Sequence, residues 1–155
     1  MNGYFVLPHA KNEPIQDYSP GTPARVALKA ELERQSNITV NIPLIIGGKR
    51  IETGHVNNVV MPHNHGHVLA RVQQAGEKEL KMAVEAAMEA KASWAAMPLE
   101  HRQAIYLKAA ELLSGPWRSV INAATMLGQS KTAYQAEIDS ACELCDFFRF
   151  DVACA

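Results

Sequence analysis

The side chains that could do chemistry are few, and most lie in the last third of the chain. Glu137 falls in the stretch Leu127 to Ala155, LGQSKTAYQAEIDSACELCDFFRFDVACA. Tyr134, Ile138, Ala141, Cys145 and Phe148 recur there at steps of four, three, four and three, the spacing of one face of an α-helix. Glu137 sits one position around from that stripe. Carboxylates are almost never fully buried without a partner, so one at a stripe edge is either solvated or held for a purpose. The same helix carries Asp139, Glu143 and Asp146, and on the sequence alone a solvated carboxylate on an acidic surface is the simpler reading.

Three other groupings invite a chemical interpretation. His63, His65 and His67 alternate in Pro62-His63-Asn64-His65-Gly66-His67; on a strand they would share a face and could ligate zinc. The competing reading is a polar turn between strands, since Asn-His-Gly is good turn chemistry and no Cys or carboxylate cluster lies nearby to complete a site. Cys142 and Cys145 form a CxxC, but a redox pair sits at a helix N-terminus, where the dipole lowers a thiol pKa, and this pair lies well inside a helix. Small apolar packing residues are the better interpretation. Gly128-Gln129-Ser130-Lys131-Thr132 lacks the second glycine and the preceding strand of a phosphate-binding loop.

The elements that must position these groups can be read in order. Residues 1–21 are broken by Pro8, Pro14 and Pro20 and read as an extended arm laid over a larger body. Thr22 caps and Pro23 opens a helix to about Gln35, expected to be superficial. Ile42 to Ile46, Gly47-Gly48 and Lys49 to Ile51 read as a β-hairpin, with Pro43 marking an edge position. Val56–Met61 and Val68–Val72 are further strands. Four helices follow: Glu77 to about Ala96; Pro98 to Leu113, stopped by a left-handed Gly115; one opened by Pro116 and stopped by Gly128, with Val120, Ile121, Ala124 and Leu127 inward; and the last, capped by Ser130. The expected division is 1–37 for the arm with one short helix, 38–75 for short strands, and 76–155 for the helices.

Composition narrows the function classes. Fifteen basic against sixteen acidic residues leave a net charge of −1, which argues against nucleic acid or an anionic membrane as main partner. No apolar run approaches the roughly 20 residues that span a bilayer. The first twenty residues have one Lys and no Arg, matching neither a secretory signal nor an Arg-rich transit peptide. Three cysteines crowded at one end read as reduced thiols of a cytoplasmic protein.

GQSKTAYQAEIDSACELCDFFRF, Gln129 to Phe150 in its most specific part, resembles the segment that aldehyde dehydrogenases of the 1-pyrroline-5-carboxylate (glutamate semialdehyde) branch carry ahead of their cofactor site. Asn12-Glu13-Pro14 and Pro23-Ala24-Arg25 resemble that branch's N-terminal arm. Gly47-Gly48 resembles the family's early hairpin, and His63 to His67 a turn the branch carries. Ala86-Ala87 through Trp94, Arg102, Leu107 to Ala110 and Leu113 to Pro116 follow the family's first helices. The likeness runs from about Asn12 to the end.

The resemblance implies a three-part α/β parent enzyme, of which this segment is the mostly helical N-terminal portion, β-hairpins followed by four α-helices. It implies NAD-dependent oxidation of L-glutamate γ-semialdehyde to glutamate in proline breakdown, by attack of a cysteine thiolate, hydride transfer to nicotinamide and base-activated hydrolysis of the thioester. It further implies a homo-oligomer acting on a small-molecule aldehyde, mitochondrial if the parent is eukaryotic, with Glu137 near the aldehyde end of the substrate pocket. No Cys here lies in the family's nucleophile motif, the general-base motif is missing, and no Gly-rich strand–turn–helix for a dinucleotide occurs. Asp151 stands where the family usually has Asn. The expectation is therefore of no catalytic, cofactor-binding or metal residues within these 155 and no turnover by them alone. A docking fragment, associating through an exposed apolar face of the last helix, is the second expectation, and a histidine metal module the third.

Overall fold

The computed structural model describes residues 6–155, so residues 1–5 of the expected arm lie outside the described residues. Thr22 caps α1 (Pro23–Ser36): its side chain accepts from the Arg25 amide, and Pro23 takes the first helical position, where its missing N–H has no partner to lose. Only Leu28 of α1 is buried, in keeping with a superficial helix that lies on a later one.

Pro43 does more than mark an edge. It divides the Ile42–Ile46 run into β1 (Val40–Ile42) and β2 (Leu44–Ile46), which join different sheets. β2 pairs antiparallel with β3 (Lys49–Ile51) around Gly47 (φ 55°) and Gly48 (φ 75°), the two left-handed residues of a tight turn. β4 (Val56–Met61) and β5 (Asn64–Gln73) form an antiparallel pair, and β1 runs parallel to β5 on its other side, giving the order β1-β5-β4. The expected strand at Val68–Val72 is thus too short. The ladder continues with register shifts to Met61 opposite Asn64, so His65 and His67 are strand residues and the turn is confined to Pro62 and His63.

α2 (Glu77–Ala96) and α3 (Leu99–Ser114) match the expected spans closely. Gly115 does not: its φ is −106°, so it is no left-handed stop. α4 covers Arg118–Gln129 and carries Gly128 inside it; the left-handed residue that ends it is Ser130 (φ 54°). Ser130 therefore terminates one helix and does not cap the next. That role falls to Thr132, whose side chain accepts from Gln135 N while Gln135 Oε1 accepts from Thr132 N, a reciprocal capping box.

The last helix is continuous but not uniform. α5 (Ala133–Ala136) passes into a π-helical turn (Glu137–Cys142) and then α6 (Glu143–Cys154). A π turn holds an extra residue and rotates every later position. The buried set is Ala136, Glu137, Ala141, Cys142, Cys145 and Val152, whereas Tyr134, first of the expected stripe, is exposed. α4 is rotated too: Arg118, Asn122, Ala123, Thr125 and Leu127 face inward, whereas Ala124 is exposed.

The core lies where α4 and the π turn meet, with α1 on α4 and α3 on α6. On the last helix Ala141, Cys145 and Val152 are buried, while Tyr134, Phe147 and Phe150 are exposed. α2 buries no residue and exposes Leu80, Val84 and Met88. Among the described residues no helix is long and apolar enough to cross a membrane.

Candidate functional site

Glu137, at the start of the π turn, points inward, and α4 meets it with two polar side chains one turn apart. Arg118 and Asn122 are spaced i,i+4 and so share a helix face. From the other side the arm, Lys11–Tyr18, crosses over both. The three elements meet on the Glu137 carboxylate, which is 0% exposed.

Every lone-pair direction of that carboxylate is engaged. Oε1 accepts from Arg118 Nη2 and from the Gln16 backbone N–H at 2.7 Å. Oε2 accepts from Tyr18 Oη at 2.7 Å, Asn122 Nδ2 at 2.8 Å and Arg118 Nε at 3.3 Å. The two-pronged guanidinium contact is the strong, orienting kind. Arg118 also reaches the Glu13 carboxylate through Nη1 and the Pro14 carbonyl through Nη2, the latter at 2.6 Å. Glu13 is shared with Arg149 at 2.7 Å, and Asp146 accepts from Asn12 Nδ2 (2.7 Å) and the Glu13 amide (2.6 Å). Opposite charges therefore alternate: Glu137, Arg118, Glu13, Arg149.

The electrostatics follow from this packing. Burial by itself pushes the Glu137 carboxyl up. Arg118, the Gln16 amide, Tyr18 and Asn122 outweigh it and hold the group below the usual carboxylate range, so it stays ionised. Burial likewise opposes the charge on Arg118, but its hydrogen bonds to Glu137 and Glu13 prevail and raise its pKa. Tyr18 is pushed up to about 12, by burial first and then by donating to Glu137. Because the folded-state value of Glu137 is depressed, its contribution to stability is complete above the unfolded carboxylate value of about 4.3 and is lost as pH falls through the folded one. Glu137→Gln should flatten the acid limb of a stability–pH profile measured by urea unfolding. An unchanged acid limb would contradict this.

Tyr18→Phe removes one donor to an ionised acceptor and little volume. It should cost about 1.5–3 kcal/mol, the range for hydrogen bonds to charged groups, read as a lower urea midpoint at constant m-value.

Glu137 is thus held in place, not solvated as the sequence alone suggested. Its partners Arg118, Asn122, Tyr18 and Gln16 were not singled out in advance. The available signal was the i,i+4 pair Arg118 and Asn122 on α4.

The remaining candidates do not converge. His63 sits in the β4–β5 turn with Nδ1 2.7 Å from Ser130 Oγ, while His65 and His67 lie on β5; among the described residues no group of three or more His, Cys, Asp or Glu is placed to hold a metal. Cys142 is pushed up to about 11, first by burial and then by Glu137, and Cys145 is raised by burial. A nucleophilic thiol needs the opposite shift. Lys131 pairs with Asp139 instead of cradling a phosphate. β5 leads into α2 through Gln74-Ala75-Gly76, and the Gly76 amide is taken by the Glu79 carboxylate at 2.9 Å. A carboxylate at that helix N-terminus repels the phosphate a dinucleotide would bring. These residues do not fit NAD.

Comparison with known proteins places this architecture. The aldehyde dehydrogenase family model matches residues 51–153. The chain is 44% identical over 150 residues to the delta-1-pyrroline-5-carboxylate dehydrogenase of Agaricus bisporus, covering 96% of this chain and 28% of that protein. It is 44% identical over 140 residues to the human mitochondrial protein of the same name, covering 90% and 25%. The crystal structure of the Mycobacterium tuberculosis enzyme of that name, bound with NAD and cobalamin, superposes with a TM-score of 0.95 at 47% identity, over 99% of this chain and 29% of that one. A Thermus 1-pyrroline-5-carboxylate dehydrogenase with bound NAD gives 0.88 at 28% identity, over 96% and 28%. The chain thus spans between a quarter and three-tenths of the length of the relatives described.

Proposed function

The chain belongs to the aldehyde dehydrogenase family, and we propose that it is the N-terminal segment of an NAD-dependent 1-pyrroline-5-carboxylate dehydrogenase, oxidising L-glutamate γ-semialdehyde to glutamate in proline breakdown. The observation that carries this reading is the likeness to solved enzymes of that name across 99% of the chain at 47% identity. Residues 76–155 form the helical part of the NAD-binding domain, ahead of the dinucleotide site. The working enzyme is a homo-oligomer in the cytoplasm, or in the mitochondrial matrix of a eukaryote.

In this reading Glu137 stands near the aldehyde end of the substrate pocket. Its oxygens already have donors from three elements, so it shapes the pocket wall and fixes Arg118 without itself abstracting a proton. The nucleophile, the base and the nicotinamide contacts come from outside these residues. Buried thiols with raised pKa values cannot serve as the first.

The 155 residues alone should show no NADH formation with glutamate semialdehyde and NAD, whereas an enzyme that contains this segment together with a nucleophile and a dinucleotide site should turn over. NADH production by the 155-residue chain would overturn the proposal. A second reading, a segment that docks on intact subunits, is favoured by the exposed Leu80, Val84 and Met88 on α2. Co-purification with an intact homologue, lost in Val84→Glu, would support it; elution of the two as separate species would not.

A further inference from the structure

We propose that residues 11–18 form a detachable strap, docked on the helical body mainly by charge and hydrogen bonds, which lifts as a unit without unfolding that body and uncovers Arg118, Glu137 and Cys142. The proposal is independent of the enzymatic reading.

The chemistry of the contact surface carries it. The strap's links to the body are polar: Lys11 O to Arg149, Asn12 and the Glu13 amide to Asp146, the Glu13 carboxylate to Arg118 and Arg149, Pro14 O to Arg118, the Gln16 amide and the Tyr18 hydroxyl to Glu137. Its aliphatic residue Ile15 is 53% exposed and the Tyr18 ring is only half-buried, so undocking loses limited hydrophobic burial. An open groove runs beside the strap, lined by Pro8–Pro14, Leu107 and Arg149.

Opening also recovers free energy. Arg118 and Glu137 are dehydrated when the strap is closed, and water returns to both when it lifts, offsetting part of the lost pairing. A hinge is present. Past Tyr18 the chain turns at Ser19–Thr22 with Gly21 at φ +89° and Thr22 N bonded to Ser19 O, and α1 is capped independently by Thr22. Arg25 Nη1 of α1 donates to Tyr18 O at 3.1 Å, so the pivot lies at Tyr18–Thr22 and α1 keeps its own cap there. Segments with few apolar contacts open ahead of the core.

The three cysteines grade the test. Cys154 is exposed. Cys142 is buried under the strap, its sulfur 3.9 Å from Pro14 O, and Cys145 is buried against α3, 3.6 Å from Ala110 O. An aromatic disulfide reagent at fixed pH reacts when a thiolate attacks it, forming a mixed disulfide and releasing one aryl thiolate; mass spectrometry assigns the site. In the native 155-residue chain Cys154 should react at once, Cys142 next, and Cys145 only at the rate of global unfolding. Raising salt from low to about 1 M should speed Cys142 roughly tenfold by screening the Glu13, Arg149 and Asp146 contacts, with Cys145 unchanged. Glu13→Gln should speed Cys142 alone by about ten- to a hundredfold, the factor a lost charge-assisted hydrogen bond represents. Parallel labelling of Cys142 and Cys145 at every salt concentration would overturn the proposal, as would a Cys142 rate indifferent to salt. If Glu13→Gln does not fold, the salt series on the native chain decides by itself.

Discussion

Arg118→Met is expected to destabilise the protein by about 3–5 kcal/mol, the cost of leaving one member of a buried ion pair without its partner. Arg118 is 4% exposed and Glu137 0%, so while the strap is closed solvent does not replace what the guanidinium supplies. Methionine keeps much of the volume, which separates the charge effect from a cavity. The same substitution frees the Glu13 carboxylate and the Pro14 carbonyl, so the strap should loosen along with the core. Urea unfolding reads the stability, and the double variant Arg118→Met/Glu137→Gln supplies the control. With both charges removed, a large share of the loss should return, because the penalty belongs to the orphaned carboxylate and not to the missing pair. A double variant as unstable as the sum of the two single ones would show that packing, not charge, sets the cost.

Asn122→Asp is expected to be nearly as damaging, although it alters no volume. Asn122 Nδ2 donates to Glu137 Oε2 at 2.8 Å and lies 3.0 Å from Tyr18 Oη. An aspartate there would set a second carboxylate against the first, with one guanidinium to serve both. Either two like charges stay buried or one carboxyl takes up a proton. The expected result is a loss of about 3 kcal/mol or more at pH 7, partly recovered on acidification as the added carboxyl is neutralised. The wild type should show the opposite trend, losing stability towards acid as Glu137 is protonated. Opposed pH slopes from an isosteric change would identify electrostatics as the cause. A uniform loss at all pH values would contradict it.

The family resemblance was legible in short stretches, and it survives comparison because those stretches encode local structure. Thr22-Pro23 and Gly47-Gly48 act within a few residues, through a cap, a fixed φ angle and positive φ. Where the reading failed, the deciding interaction was non-local or one of several local options. Gly128 offered a stop and Ser130 an N-cap, but the reciprocal Thr132–Gln135 box moved the next helix start and left Ser130 to end the previous one. The pairing of β4 with β5 carried the strand through His67 and His65, which composition assigned to a turn.

Glu137 shows the division most clearly. The sequence by itself determined that a carboxylate sits beside an apolar stripe in the last helix, that Asn12-Glu13-Pro14 belongs to an extended arm, and that the segment is mostly helical with an early hairpin. Only the tertiary structure decided that the carboxylate is buried. Glu137 opens a π turn and points inward, and its burial is tolerated because donors stand ready there: Arg118 and Asn122 from a helix 15 to 19 residues earlier, Gln16 and Tyr18 from an arm about 120 residues away. A helical period read along one strand of sequence cannot register such a turn, since the free energy that permits it comes from partners the period does not contain.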